Sequence, residues 1–404
     1  MGTILKHGKA IASLFAVAAI FIIASPQRAR AAAWQIETID PTGPGKYSSM
    51  KIDKYGNVHL AYVVDDGAKY PLRYAFWDHS TKRWFALTIA LGASFSSLAL
   101  DSAQQPHISY ADFGTMSGAK LHYVHWDGTS WKSEEIPLNS ETIGYYTSIA
   151  LDSNDHPRIS FYEYRGPRGS GISIRLRIVT WNGQIWSVQT VDQQEGSGKF
   201  NCIANDASGR LHIAYANVSA TTASMLYSLW DGQSMTGELV EGFEEAKGYV
   251  GYSACMALDQ SGNPHIAYTD TTKSRLKYAT RKDGKWQKQV VDNLSGFAYP
   301  DRNSIALDSQ GQPYIGYFDS GRGVLKVAHF EKDRWILEIV DGGSTGFTSS
   351  MQIDGGVIWI AYADEGQGGL KVARRELSKT EAADSSPITI PEPEPAAKVT
   401  QTGQ

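Results

Sequence analysis

The chain has 404 residues, 42% of them hydrophobic and 11% aromatic, with two cysteines and a formal net charge of −4. That is ample for a large core. No basic stripe marks a nucleic-acid footprint, so a nucleic-acid partner is excluded.

Residues 1–31 read as a secretory leader. Lys6 and Lys9 precede an apolar run from Ala10 to Ala24, followed by Pro26 and the small-residue site Ala29-Arg30-Ala31. The run is short for a membrane span, which leaves an uncleaved anchor as the lesser alternative. No cysteine follows the site, which argues against a lipoprotein, and no later stretch could cross a bilayer. Loss of the leader removes Lys6, Lys9, Arg28 and Arg30 and no acid, taking the net charge to about −8. The expected location is secreted or periplasmic.

From Trp34 onward one sentence is written seven times. Its clearest words are DKYGNVHLAY (53–62), DSAQQPHISY (101–110), DSNDHPRISF (152–161), DASGRLHIAY (206–215), DQSGNPHIAY (259–268), DSQGQPYIGY (308–317) and DGGVIWIAY (354–362). Each copy holds four short apolar runs parted by Gly, Pro, Asp or Ser, the pattern of strands and tight turns. Third strands start at Leu72, Leu121, Leu176, Leu226, Leu276, Leu325 and Leu370, and fourth strands mostly at a tryptophan (Trp84, Trp131, Trp186, Trp286, Trp335). Four strands every ~50 residues is the signature of a β-propeller. The expected fold is therefore all-β: a seven-bladed β-propeller over 34–377, with four antiparallel strands per blade.

The seventh copy ends after its third strand. Its missing fourth strand is supplied by WQIETID (34–40), which matches WILEIVD (335–341), so the N-terminal strand should complete the last blade and close the ring. The remainder, 378–404, is rich in Pro, Ala and Glu, has no buried pattern, and is expected to be a disordered tail.

Recurrence separates packing from function. The aromatic that ends each second strand recurs in all seven blades and reads as packing. His59, His107, His212 and His265 share one position in separate blades, too far apart to ligate one zinc ion, and read as interblade groups bonded to backbone. The turn aspartates Asp53, Asp101, Asp152, Asp206, Asp259, Asp308 and Asp354 read as bonding their own backbone. Cys202 and Cys255 occupy the place that Ser49, Ser97, Ser148, Ser304 and Ser350 hold elsewhere. A secreted pair suggests a disulfide, but equivalent positions point the same way around a ring, which favours two free thiols. No metal or cofactor is implied.

Binding sites of a propeller gather where the blade-linking loops meet the loops between second and third strands. The linking loops bring Tyr47, Phe95, Tyr145, Tyr146, Phe200, Tyr249, Tyr252, Tyr299 and Phe347 to that mouth. The second-strand ends bring Asp65, Asp112, Glu163, Asn217, Asp270, Asp319 and Asp364. Rings that stack on C–H faces, with carboxylates that accept from hydroxyls, are what sugar recognition needs. The same set suits a cation or a protein with aromatic anchors. The plain alternative is that the acids form turns and the rings cap the core. Two long segments break the symmetry. Glu163–Ile174 brings Arg165 and Arg168, and 242–253 brings Glu244, Glu245, Tyr249 and Tyr252; Lys199, Asp301 and Arg302 come from other linkers. An acidic pair beside basic and tyrosine groups opens glycoside hydrolysis or β-elimination as an alternative.

Trp126-Asp-Gly-Thr-Ser-Trp131 and Trp181-Asn-Gly-Gln-Ile-Trp186, after LHYVH and LRIVT, resemble the repeats of fucose-specific-lectin-like propellers. The D-x-x-G-N/Q-P-h-I-x-Y pattern is similar to NHL-type and related secreted propellers. The resemblance covers Trp34 to Leu377 and implies a fold more than an activity. The lectins' per-blade Arg/Glu pair is not repeated here. The Asp box of BNR (sialidase-like) repeats is approached only by Asp127-Gly128-x-x-Trp131. No P-loop, His-Glu-x-x-His or Gly-x-Ser-x-Gly occurs, so no catalytic residue is assigned. The expectation is a secreted recognition propeller for a glycan or an extracellular or envelope protein, with a polysaccharide hydrolase or lyase as the alternative.

Overall fold

The computed structural model describes residues 33–112, 120–138, 142–165, 174–296 and 303–377. The leader expected at 1–31 and the tail expected at 378–404 lie outside these residues. Among the described residues no helix is long and apolar enough to cross a membrane.

Seven antiparallel sheets of four strands stand around a central channel. The innermost strands are Gly45–Ile52, Ala93–Leu100, Thr142–Leu151, Ser197–Asn205, Val250–Leu258, Ser304–Leu307 and Thr345–Asp354. Gln35–Asp40 pairs with Gly369–Glu376, so the N-terminal strand is the outermost strand of blade seven, as the repeat pattern predicts. Among the described residues a single four-residue helix, Phe243–Ala246, interrupts the linker between blades four and five.

The core lies between the blades. Seven apolar clusters each span two neighbouring blades; Met50, Leu60 and Tyr62 of blade one, for example, pack on Trp359, Leu370 and Val372 of blade seven. The large–small alternation of the innermost strands makes this interdigitation possible.

An innermost strand is also a sheet edge, whose outward N–H groups need partners. A serine from the neighbouring blade supplies them. Ser49 Oγ accepts from Leu98 N–H (3.0 Å), Ser97 from Ile149 (3.2 Å), Ser148 from Ile203 (3.1 Å) and Ser350 from Met50 (2.9 Å). Cys202 and Cys255 take this place in blades four and five, half-buried in the channel wall, with Sγ atoms 3.8 Å from the Met256 and Ala267 carbonyls respectively.

A second set of bonds crosses the seams near the rim. Asp40, at the end of the closing strand, accepts the Tyr62 hydroxyl and the Arg73 guanidinium of blade one, both at 2.7 Å. Asp341 receives Tyr362 (2.8 Å) and Lys371 (3.1 Å), and Asp292 receives Tyr317 and Lys326, both at 2.8 Å. Glu241 receives Tyr268 (2.7 Å) and Lys277. The recurrent second-strand tyrosine is thus both packing and clasp.

Asp40 is 2% exposed. Its replacement by alanine leaves Arg73 and Tyr62 without their acceptor and is expected to cost about 3 kcal/mol, against less than 1 kcal/mol for Asp65→Ala at a half-exposed pair. Urea denaturation decides; equal small losses would show that the clasp does not hold the ring.

Candidate functional site

At one end of the channel every innermost strand except the short Ser304–Leu307 carries a bulge of one extra residue, between Lys46/Ser49, Ser94/Ser97, Tyr145/Ser148, Lys199/Cys202, Tyr252/Cys255 and Phe347/Ser350. These bulges bend the strand and re-aim its side chains. In four consecutive blades the bulged residue is aromatic and left-handed: Tyr47 (φ +52°), Phe95 (+52°), Tyr146 (+53°) and Phe200 (+51°); blade five has Ser253 (+54°). A bulky side chain in that region costs about 1–2 kcal/mol, which its surroundings must offset.

What the strain produces is a continuous arc of rings. Tyr47 meets Phe95 at 4.5 Å between centroids, Phe95 meets Tyr146 at 4.5 Å, Tyr146 meets Phe200 at 5.0 Å, and Phe200 meets Tyr252 at 5.3 Å. Tyr145 touches Phe95 (5.7 Å) and Tyr162 touches Tyr146 (6.0 Å). All five rings of the arc are half-buried. The arc follows blades one to five, and the equivalent positions of blades six and seven are Arg302 and Thr348.

Lys199 sits within the arc, its ammonium 5.8 Å from the Tyr162 ring centroid. Among the described residues it has no carboxylate partner, and burial lowers its pKa below the ordinary lysine value. Tyr162 was not singled out from sequence. Its signal was a tyrosine directly after Phe161, where other blades have Val63, Ala111, Ala216, Thr269, Phe318 and Ala363.

The structure places the acids elsewhere. Asp112 accepts from His122 (2.9 Å) and the Lys120 N–H (2.8 Å), and Glu163 pairs with Arg177 at 3.3 Å. Asp270 accepts the Lys273 N–H (2.9 Å), and Asp364 pairs with Lys371 (2.7 Å). Asp319 is fully buried; burial pushes its pKa up, but hydrogen bonds from Ser295, Lys326 and Arg322 outweigh it and hold the carboxyl at about 2. These five carboxylates are committed to turns and to cations of their own chain. Tyr249 meets Phe243 edge to face (5.4 Å between centroids) rather than joining the arc. Glu245 reaches Lys288 on the outermost strand of blade five, and Glu244 pairs with Lys247 at 3.3 Å. Arg302, Arg168, Tyr299 and Asp301 lie outside the described residues, as do the side chains of Arg165 and Phe347.

Below the arc the channel encloses a cavity of about 430 Å³. Serines, asparagines, the two thiols and Lys51 line it, with no carboxylate among the described lining residues. Burial lowers the Lys51 pKa below the usual lysine value.

The four histidines are not a metal site: no group of metal-ligating side chains occurs among the described residues. Nor do they bond to backbone as expected. Each meets a phenol of the third strand, Tyr74 (2.6 Å), Tyr123 (2.5 Å), Tyr227 (2.8 Å) or Tyr278 (2.6 Å), and faces the turn aspartate of its own blade. An Asp–His–Tyr relay resembles catalytic machinery, but four copies in four blades mark it as framework. The turn aspartates also bond their own backbone as predicted, Asp53 accepting from the Tyr55 and Asn57 N–H groups at 2.8 Å.

No protein-family model matches the chain, and no curated protein does. Solved structures do. An ulvan lyase from a new family of polysaccharide lyases, bound to -[GlcA(1-4)Rha3S]-, superposes with a TM-score of 0.56 at 9% identity, covering 85% of this chain and 95% of that one. A second polysaccharide lyase superposes with a TM-score of 0.53 at 11% identity over 81% and 89%. A Hadza microbial sialidase gives 0.51 at 9% identity over 79% and 73%. The likeness is one of fold. The chain is a seven-bladed β-propeller, and at these identities what it shares with these proteins is the fold alone.

The histidines yield a pH dependence with a definite sign. Burial lowers all four pKa values below the free value, with the aspartates only partly opposing. The unfolded chain therefore binds these protons first, so their stabilising contribution is complete above about pH 6.5 and is lost as pH falls below it. The unfolding free energy from urea denaturation should drop between about pH 7.5 and pH 5, by up to about 1.4 kcal/mol per pH unit for each histidine. A flat profile would contradict the assignment.

Proposed function

We propose that this protein is an extracytoplasmic carbohydrate-recognition propeller whose site is the aromatic arc at the channel mouth. The observation that carries the reading is the arc itself: five touching, half-buried rings, four of them on left-handed backbone, with Lys199 near them and without a carboxylate partner among the described residues. A strained aromatic is retained only where something over-determines it, and such outliers gather at binding sites. Rings of this kind offer flat apolar faces to the C–H faces of a sugar, and a desolvated ammonium favours an acidic or sulfated unit. The solved lyases and the sialidase named above support the carbohydrate class through their shared architecture.

A second reading is favoured by one specific feature. A lysine whose pKa is lowered by burial, among tyrosines, is a candidate general base. Lys199 beside Tyr162 fits β-elimination on a uronate-containing polysaccharide as well as it fits binding.

A glycan array tests both, together with reducing-end and ultraviolet assays for unsaturated products on the same polysaccharides. Binding without turnover, weakened about tenfold (~1.4 kcal/mol) by Tyr146→Ala or Tyr252→Ala and unchanged by Tyr249→Ala, is the expected result. Turnover lost in Lys199→Met would establish the second reading. A chain that neither binds nor cleaves any saccharide would sink both.

A further inference from the structure

Seven blades built alike act as controls for one another. Opposite the second-strand aromatic, the third strand places a basic side chain in six of them. Arg73 faces Tyr62, His122 faces Tyr110 and Arg177 faces Phe161; Lys277, Lys326 and Lys371 face Tyr268, Tyr317 and Tyr362. Blade four places Leu226 there, opposite Tyr215.

The acceptor side of the clasp is nevertheless intact. Asp192 Oδ2 accepts the Tyr215 hydroxyl at 3.1 Å and the Ser197 hydroxyl at 2.7 Å, and Oδ1 accepts the Gln194 N–H at 2.9 Å. Among the described residues no cation pairs with Asp192. The second carboxylate that Asp270, Asp319 and Asp364 supply in blades five to seven is Asn217 here. The room is open as well: a cavity of about 510 Å³ is lined by Asp192, Tyr215, Asn217, Ser224 and Ser228, with Leu226 and Leu239 forming an apolar wall. Glu238 also borders it but is engaged by Arg281 at 2.8 Å.

A half-buried carboxylate, an adjoining phenol and a cavity where three sister blades hold a lysine ammonium specify the missing group. We propose that this seam takes an exogenous primary ammonium carried on a small hydroxylated body, an amino-sugar unit. The ammonium takes the place of the absent lysine Nζ against Asp192. The hydroxyls of Ser224, Ser228 and Thr222 and the amides of Asn217 and Gln194 match sugar hydroxyls, and the leucines receive the C–H face. The volume falls within the range of small-molecule sites. Electrostatics and shape set specificity here, because N-acetylation removes the charge and adds bulk. This site is separate from the aromatic arc and does not rest on the reading of that arc.

Isothermal titration of the full-length protein with glucosamine, N-acetylglucosamine and glucose tests the assignment. Saturable glucosamine binding is expected, with the N-acetylated and neutral sugars at least about tenfold weaker. Leu226→Lys restores the internal ammonium and should abolish binding while raising Tm, and Leu226→Met should retain binding. If Leu226→Lys fails to fold, Asp192→Asn takes its place with the same loss expected. Absence of glucosamine binding by the wild-type chain overturns the proposal. So does binding that survives in folded Leu226→Lys, or binding indifferent to N-acetylation.

Discussion

In five of the seven seams a carboxylate at the end of an outermost strand (Asp40, Asp192, Glu241, Asp292 or Asp341) meets the tyrosine of the following blade. Apolar packing between blades is non-directional and would tolerate sliding of one sheet on the next. A charge taken out of water tolerates much less, because it keeps its favourable energy only while its partners stay in place. The clasp therefore sets how each blade sits on its neighbour. The same bond closes the seam between blade seven and blade one, through Asp40 and Tyr62. Ala90 and Pro137 hold the corresponding positions at the other two seams.

Much of this was legible in the sequence. Blade number, strand order and the closing strand follow from local patterns, alternating apolar residues and Asp/Gly/Pro turns, which a repeat prints seven times over. The aromatic arc was largely legible too, since its rings lie at adjacent register positions in five copies. The acids were not. A carboxylate after the second strand reads equally as a mouth group or a turn former, and the choice depends on partners such as Ser295 for Asp319, which only the folded seam brings near. The histidine partners were within reach of a closer reading. Blades with histidine on the second strand have tyrosine on the third (Tyr74, Tyr123, Tyr227, Tyr278), and blades without it have Ile178, Val327 and Val372.

Stability and function pull apart at the bulges. Glycine would occupy the left-handed position of Tyr47, Phe95, Tyr146 or Phe200 without steric cost. The ring chosen instead buys a shared apolar surface that no single blade could present. The frame tolerates this at Tyr47, Phe95 and Tyr146 because the bonds of Ser49, Ser97 and Ser148 anchor the strand immediately beyond each bulge.

Those serine bonds and the rim clasps are distributed unevenly around the ring. The seams from blade one to blade three have hydroxyl bonds at the hub but Ala90 and Pro137 at the rim. The seams from blade four to blade six have sulfur at the hub, a weaker partner, and full Tyr–carboxylate–lysine clasps at the rim. The wheel thus has two kinds of sector. One is riveted at the axle by neutral bonds that acid leaves alone, and the other is laced at the tyre by charges that acid removes. The ring arc starts in the riveted sector, and its last joint, Phe200 to Tyr252, crosses into the laced one, so its two ends rest on joints of different kinds.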